Sequence, residues 1–560
     1  MKQLEKPLLL VVLLIAIFFR FYHLAFVPPS PSVDEVSTGY NAFSILKTGR
    51  DEYGNFLPLV LRAYDDWQPV LYTYLTLPFV YLFGLNLFAV RFPSAILSIL
   101  TVLTVFFIAK ALFAQRKKKS MSWFHTSVFA TLLVFLLAIS PWHIYVSRLG
   151  LPTNTGFSFF IFALYFFLRK RSFLSVIFFV LSFMSYHADK IFIPVFVLGL
   201  IVIYWRELLL QKQKVIVAII LGFILLFPFL KTAPSSSSLV RFKATSTLKL
   251  SAHWEQNQQR ERFFRRAIKN NDIIGVVQHS QKFFFMRVVV EGYLSHFRAS
   301  WLFLNSGDEP HKAPNFGLLY HWTAPFIAVG FISFLIGSFS RKTKQLIFFW
   351  FFTAPLAGAI TTDAPHALRL FTMLPTWEMF AALGILRLYS LIRSAIGKTA
   401  YAVVLCLVVL LSLPLFFVSY FTILPKVQSQ SFQFPLSDAI LFVLEHEKSY
   451  NKIVFSNQGQ LYQSYMFFLY HSKYDPAMYL KEGGTKSGGF AEIHRLGKYE
   501  FRPIDWRKEA RDEGILYVGR VQDFPSELYD RYPIDIIKQI HALDGNPEIL
   551  IVKSHLKAEK

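Results

Sequence analysis

Long apolar runs recur along almost the whole of this 560-residue chain, and each must be buried in protein or in lipid. About 17–25 apolar residues cross the hydrocarbon core of a bilayer. Such runs are read at 7–27, 88–113, 123–140, 152–168, 172–186, 190–205, 215–231, 318–338, 345–361, 370–388 and 399–422, which predicts eleven crossings. Only helices and closed barrels satisfy their backbone hydrogen bonds in lipid, and runs of this length are helical. The expected fold class is therefore a polytopic α-helical membrane protein. Hydrophobic residues are 54% of the chain and charged ones 17%, a balance outside the soluble globular range. The first run is followed by "VPPSPS" without a small-x-small cleavage pattern, so it reads as a retained anchor rather than a signal peptide.

A net charge of +23 would suggest nucleic acid in a soluble chain. Here the cations fall in short clusters between apolar runs: Lys2 and Lys6, "RKKK" at 116–119, "RKR" at 169–171, Arg206 with Lys212 and Lys214, "RKTK" at 341–344, and Arg387 with Arg393 and Lys398. With eleven spans these all lie on one side, which the positive-inside rule makes cytoplasmic. No nucleic-acid partner is expected. The chain reads as an integral plasma (inner) membrane protein with a cytoplasmic amino terminus. The same parity keeps the apolar stretch 69–86 from crossing, and makes it a juxtamembrane or re-entrant element broken at Pro78.

Everything that looks chemical then collects on the outer face. It comprises the loops 28–87 and 232–317, the segments "SPWHIYVSRLGLPTN", "YHADK" and "TTDAPHALR", and a tail from 425. Two domains follow: a transmembrane domain over 1–424 and an extracytoplasmic one over 425–560. The tail changes character, with strand-like runs "KIVFS", "GILYVGR" and "EILIVK" between helical or Gly-rich stretches, and reads as a small α/β domain. It contains no GxGxxG, Walker, HExxH or GxSxG pattern.

Two adjacent carboxylates, Asp34 and Glu35, emerge just after the first apolar run. A carboxylate within hydrogen-bond reach can make an acceptor hydroxyl nucleophilic, and a departing phosphate needs cations. Arg148, Lys190 and Arg369 stand at the mouths of spans on the outer face, against the positive-inside tendency. Asp65 and Asp66 offer a second acid or a solvated turn. His143, His187 and His366 lie in outer loops, but no HxxxH spacing joins them, so no metal ligand is assigned. No cofactor is required by these residues, with a divalent metal left open. The single cysteine, Cys406, lies inside an apolar run, which excludes an intrachain disulfide.

The ordered runs "DEVSTGYNAFSILKTGRDEYGNFLPL", "DDWQPVLYTYLTLPFVYLFGLNLFAVRFPSAI", "PWHIYVSRLGLP" and "PHALRLFTMLP" resemble the GT-C type integral-membrane glycosyltransferases. They are similar to the family of protein O-mannosyltransferases and the lipid A aminoarabinose transferase (glycosyltransferase family 39-like) over roughly residues 5–420. The resemblance implies a GT-C fold, a polyprenyl-phosphate-linked sugar donor, and Asp34 as catalytic base with Glu35 its neighbour. It implies contact of Arg148 with the donor phosphate, with His366 and Arg369 near the same headgroup, and Lys190 joins them as a candidate from its place on the outer face alone. The chain departs from relatives of the aminoarabinose transferase that carry an arginine shortly after the acidic pair and a Lys-Pro-Pro. Here those positions read Ser37 and Gln68-Pro-Val, and Thr153 and Asn154 stand where some relatives have an aspartate.

The expected function is an inverting hexosyl- or pentosyltransferase that moves a sugar from a polyprenyl phosphate to a protein, glycolipid or polymer acceptor at the outer face. A lipid-linked sugar flippase is the alternative, and a pyrophosphate-dependent glycan ligase is the nearer one. The basic, aromatic stretch "RERFFRRAIK" at 260–269 reads as a helix lying either on the membrane surface or against the tail.

Overall fold

A computed structural model describes residues 2–64, 66–114, 124–232, 246–247, 253–304, 311–486, 489, 492–530 and 532–554. The basic cluster at 116–119 and Asp65 lie outside the described residues. The chain divides into two compact units. The first comprises residues 1–22, 96–147 and 152–416, and the second comprises 23–95, 148–151 and 417–560.

The first unit is helical, as the apolar runs require. Helices α1 (Lys2–Phe21), α4 (Leu87–Phe113), α5 (Thr126–Ile139), α6 (Pro141–Ser147), α7 (Pro152–Leu168), α8 (Ser172–Ser185), α9 (Asp189–Leu210) and α10 (Lys212–Thr232) supply its first half. Thr323–Ile336, Arg341–Thr353, Leu374–Leu391 and Ala395–Val418 supply the second. Among the described residues, four helices are individually long and apolar enough to cross a membrane, or five if the pair α5 and α6, bent by 58°, is one span. Several other expected spans are helices of 14–17 residues, or about 21–26 Å at 1.5 Å per residue. The expectation of eleven crossings rests on these shorter elements.

Small residues set the helix spacing where two spans meet. A Cβ on Gly330 would stand 1.7 Å from the Phe380 carbonyl, and one on Gly384 would stand 1.8 Å from that of Phe326. The backbones of Thr323–Ile336 and Leu374–Leu391 can touch only because both positions are glycine.

The second unit contains the segment after the first helix and the tail. Here lie α2 (Val33–Thr48), the hairpin of β1 (Val60–Ala63) and β2 (Asp66–Pro69), and α3 (Leu71–Phe83). The helix α3 runs unbroken through Pro78, where the sequence suggested a break. Thirteen residues give it a length of about 20 Å.

The tail builds a six-stranded sheet in the order β4-β5-β3-β6-β8-β7. Its strands are β3 (Lys452–Phe455), β4 (His494–Leu496), β5 (Tyr499–Phe501), β6 (Ile515–Arg520), β7 (Ile534–His541) and β8 (Pro547–Ser554). The expected strand runs become β3, β6 and β8, with β3 parallel to both β5 and β6. Alternation sorts their side chains between two cores, as a period of two demands. Ile453, Phe455, Leu516 and Val518 enter one, and Val454, Tyr517 and Val552 enter the other with Trp506. The first of these cores also takes Val36 and Tyr40 of α2 and Leu436, Ala439, Ile440 and Val443 of the helix Phe434–His446. Thus the tail's core and the acidic helix are one packed body.

Candidate active site

The acidic pair opens a helix, and the local sequence explains why. Ser32 caps α2: its Oγ accepts from the Glu35 amide at 3.4 Å, while Glu35 Oε2 accepts from the Ser32 amide at 2.9 Å, a capping box. Both carboxylates lie in the first turn, where the helix dipole favours negative charge. Gly49, at φ 71°, ends the helix in the left-handed conformation that glycine adopts without penalty.

The two carboxylates then diverge. Glu35 is fully buried and forms a two-pronged ion pair with Arg91, Nε to Oε1 at 2.7 Å and Nη2 to Oε2 at 3.0 Å. Gly150 donates its amide to Oε1 at 2.8 Å. Burial pushes the Glu35 carboxyl up, but Arg91 and the amides of Ser32 and Gly150 together hold it below the usual carboxylate value. Arg91 spends its remaining donors on the carbonyls of Leu24, Pro28 and Ser30, at 2.9–3.1 Å. This is a closed structural knot. It clamps the stretch leading into α2, the start of α4 and the 148–151 segment.

Asp34 is only half-buried. Its Oδ1 accepts from Gln68 Nε2 at 2.8 Å. Asp66 continues β2 as far as its backbone, and its side chain lies outside the described atoms. Arg148 belongs to the same unit as the acidic pair, two residues before Gly150. Its buried guanidinium donates to the carbonyls of His23 at 3.2 Å and Val27 at 2.9 Å. The rings of Phe421 and Tyr420 face it at 4.8 and 5.5 Å.

The remaining expected residues belong to the first unit. Arg369 donates to Thr361 Oγ1 at 2.6 Å and reaches the exposed carboxylate of Asp363 at 3.4 Å. His366 lies with its ring 5.5 Å from that of His311, and its amide donates to His296 Nε2 at 3.4 Å. Burial pulls both His296 and His311 down to about 4, with Arg369 adding to the effect, so both rings are neutral at physiological pH. Lys190 lies in the first turn of α9 with its Nζ 4.9 Å from the Phe229 ring. Among the described residues no three His, Cys, Asp or Glu side chains converge on a point.

Arg91 was not singled out in the sequence, although a signal was present. It is a cation inside an apolar run, and such a residue needs a partner. Glu52 gave less warning. Its buried carboxylate accepts from Thr485 Oγ1 at 2.7 Å, Asn41 Nδ2 at 3.0 Å and Tyr465 at 3.4 Å, joining the α2 helix to the Gly-rich turn of the tail. Those partners lie up to 433 positions away, a pairing no local pattern encodes.

Neither a protein-family model nor a curated protein sequence matches the chain. Its fold is similar to two crystal structures of ArnT from Cupriavidus metallidurans, one bound to undecaprenyl phosphate and one in the apo state. Each superposes with a TM-score of 0.51 at 9% sequence identity, and the match covers 98% of this chain and 97% of that one. The GT-C fold expected from the ordered motifs is the fold of this chain, an integral membrane protein with a small sheet domain at its carboxyl end.

Proposed function

We propose that the chain is an inverting glycosyltransferase that takes one sugar from a polyprenyl phosphate and places it on an acceptor hydroxyl at the outer face of the membrane. The observation that carries this is the contrast within the acidic pair. Glu35 is consumed by Arg91 and backbone amides, while its neighbour Asp34 keeps a half-buried carboxylate on a helix locked in place. A base must be both rigid and open to its substrate. The shared fold adds weight, because ArnT in one of its structures holds undecaprenyl phosphate.

In this reading Asp34 accepts the acceptor's hydroxyl proton as that oxygen attacks the anomeric carbon. The bond from that carbon to the phosphate oxygen breaks, its electron pair leaves with the polyprenyl phosphate, and configuration inverts. Cations fixed at the departing phosphate stabilise the transition state more than the ground state. Arg369 suits this role, since its present partners are a hydroxyl and an exposed carboxylate that a phosphate can replace. Arg148 is held by carbonyls and aromatic faces, and its contribution is the shape and positive field of the site. Lys190 and His366 are the further candidates for contact with the headgroup. Asp65 and Asp66 are the second acidic pair of the same outer segment.

A lipid-linked sugar carrier would place ionisable groups at mid-depth in its spans. Of the buried ones described here, Arg20, Arg91 and Asp189 lie near helix ends, whereas Glu378 lies midway along the expected span 370–388, so the transport assay, not the placement of charge, separates the two readings. The test is to incubate the purified protein with synthetic undecaprenyl-phosphate hexoses and pentoses and a membrane extract as acceptor source. Consumption of one donor with release of undecaprenyl phosphate supports the reading. Movement of the intact lipid-linked sugar across vesicle membranes without its consumption would replace the enzyme with a carrier.

A further inference from the structure

The basic stretch at 260–269 belongs to a set of three helices, Trp254–Lys269, Ile273–Gln278 and Gln281–Ser295. Arg260 ties them together, donating to the His279 carbonyl at 2.8 Å. The third helix is anchored along one side. Gly292 packs so closely on Ala359 that a Cβ would stand 2.8 Å from its carbonyl oxygen. Tyr293 donates its hydroxyl to the Phe352 carbonyl at 2.8 Å.

The opposite side of the same helix is inverted relative to a soluble amphipathic helix. Met286, Val290 and Leu294, spaced at i, i+4 and i+8, are 53%, 48% and 57% exposed. Ile273, Ile274 and Val277 on the second helix are 79%, 71% and 56% exposed. Lys282 and Arg287 flank the stripe, the latter 3.5 Å from Glu291, and the first helix adds Arg262, Arg265, Arg266 and Lys269, of which Arg265 pairs with Glu261 at 2.6 Å, so cations remain in excess. Bare apolar stripes of this kind mark contact with lipid or protein.

Two observations select lipid. The helix abuts Phe352, itself 46% exposed in the last turn of the helix Arg341–Thr353, whose second half, from Leu346 to Phe352, is wholly apolar, so it stands where an exposed apolar surface ends. The cations beside the stripe complement anionic headgroups, the arrangement of helices that lie in a membrane interface. We infer that Trp254–Ser295 is an interfacial membrane anchor, with Met286, Val290 and Leu294 in the acyl boundary of the leaflet at the Thr353 end and the flanking cations on anionic phospholipid headgroups. This inference does not depend on the proposed chemistry.

The test uses the full chain with Cys406→Ser, a single cysteine at Met286 or Val290 carrying an environment-sensitive fluorophore, and a control at Lys508, whose side chain is 83% exposed in the tail. Nanodiscs of phosphatidylcholine, with or without phosphatidylglycerol, contain a nitroxide lipid labelled near the headgroup. Quenching at 286 and 290 by roughly twofold or more, stronger with phosphatidylglycerol and absent at 508, is the expected result. The pair Lys282→Gln and Arg287→Gln should remove the preference for the anionic lipid and leave the fold intact, since both residues lie on the exposed side. Quenching at 286 and 290 no greater than at 508 would overturn the proposal. So would emission from an apolar environment without lipid quenching, which identifies a second copy as the occupant, and so would quenching indifferent to lipid charge.

Discussion

Adjacent carboxylates with opposite surroundings predict opposite consequences of the same isosteric change. Glu35→Gln strips the charge facing Arg91 and leaves a buried guanidinium without its counter-ion, a change that costs about 3–5 kcal/mol when one partner of a buried pair is removed. The thermal midpoint should fall sharply, and activity should fall in proportion to folded protein. Replacing both partners, as Glu35→Gln with Arg91→Met, should recover part of the lost stability, and thermal unfolding of the two variants beside wild type checks this. Arg369→Gln makes a different prediction. It removes a mostly buried cation whose partners are one hydroxyl and one exposed carboxylate, so turnover should fall by more than the modest drop in midpoint accounts for, and Arg369→Lys should return part of the turnover by restoring charge without the fork. If Arg369→Gln turns over normally, the donor phosphate is held elsewhere.

At the scale of elements, α2 is held at one end by Arg91 and along its length by the tail. Glu52 fastens the loop after α2 to Thr485, and burial raises its carboxyl to about 7. A carboxyl raised in the fold above its usual value contributes stability that is fully present below about pH 4.5 and lost as the pH rises through about 7. Asn41, Thr485 and Tyr465 can all donate to the amide oxygen that Glu52→Gln leaves in place of the carboxylate, so this change should abolish that slope without loosening the turn. Thermal midpoints measured between pH 4.5 and 8 should converge at the acid end and separate in favour of the variant toward pH 8. Parallel curves would show that Glu52 is not the titrating group.

These elements also show how far sequence carries. The strands β3, β6 and β8 stood out because β-branched and aromatic residues alternate between two buried faces. The edge strand β7 did not, since Ile536 and Ile537 are exposed and its pattern slips at a register shift. The helix α2 was legible only as an acidic loop, because its start depends on Ser32 and its rigidity on Arg91 and Gly150, 56 and 115 residues from Glu35. Asp34 stood out with Glu35 as an acidic pair, but nothing local distinguished the half-buried member from the buried one.

For the whole molecule, the basic clusters predict that the tail faces away from the cytoplasm, with the acidic helix it packs against. A cysteine at Lys508 in the Cys406→Ser background should react with an impermeant maleimide while the plasma membrane is intact. Labelling only after lysis would place the tail, and the proposed chemistry with it, in the cytoplasm.

The claim on which the account turns is that Asp34 deprotonates the acceptor as the sugar leaves its polyprenyl phosphate. Asp34→Asn keeps the side-chain volume and leaves an Oδ1 to accept from Gln68, so the variant should fold with an unchanged thermal midpoint. The decisive measurement is the rate at which purified wild type and Asp34→Asn release polyprenyl phosphate from the donor the enzyme consumes. A loss of about 10²–10⁴-fold in the variant, the usual worth of a general base, is the predicted result. Release within a fewfold of wild type by a folded Asp34→Asn protein would contradict it.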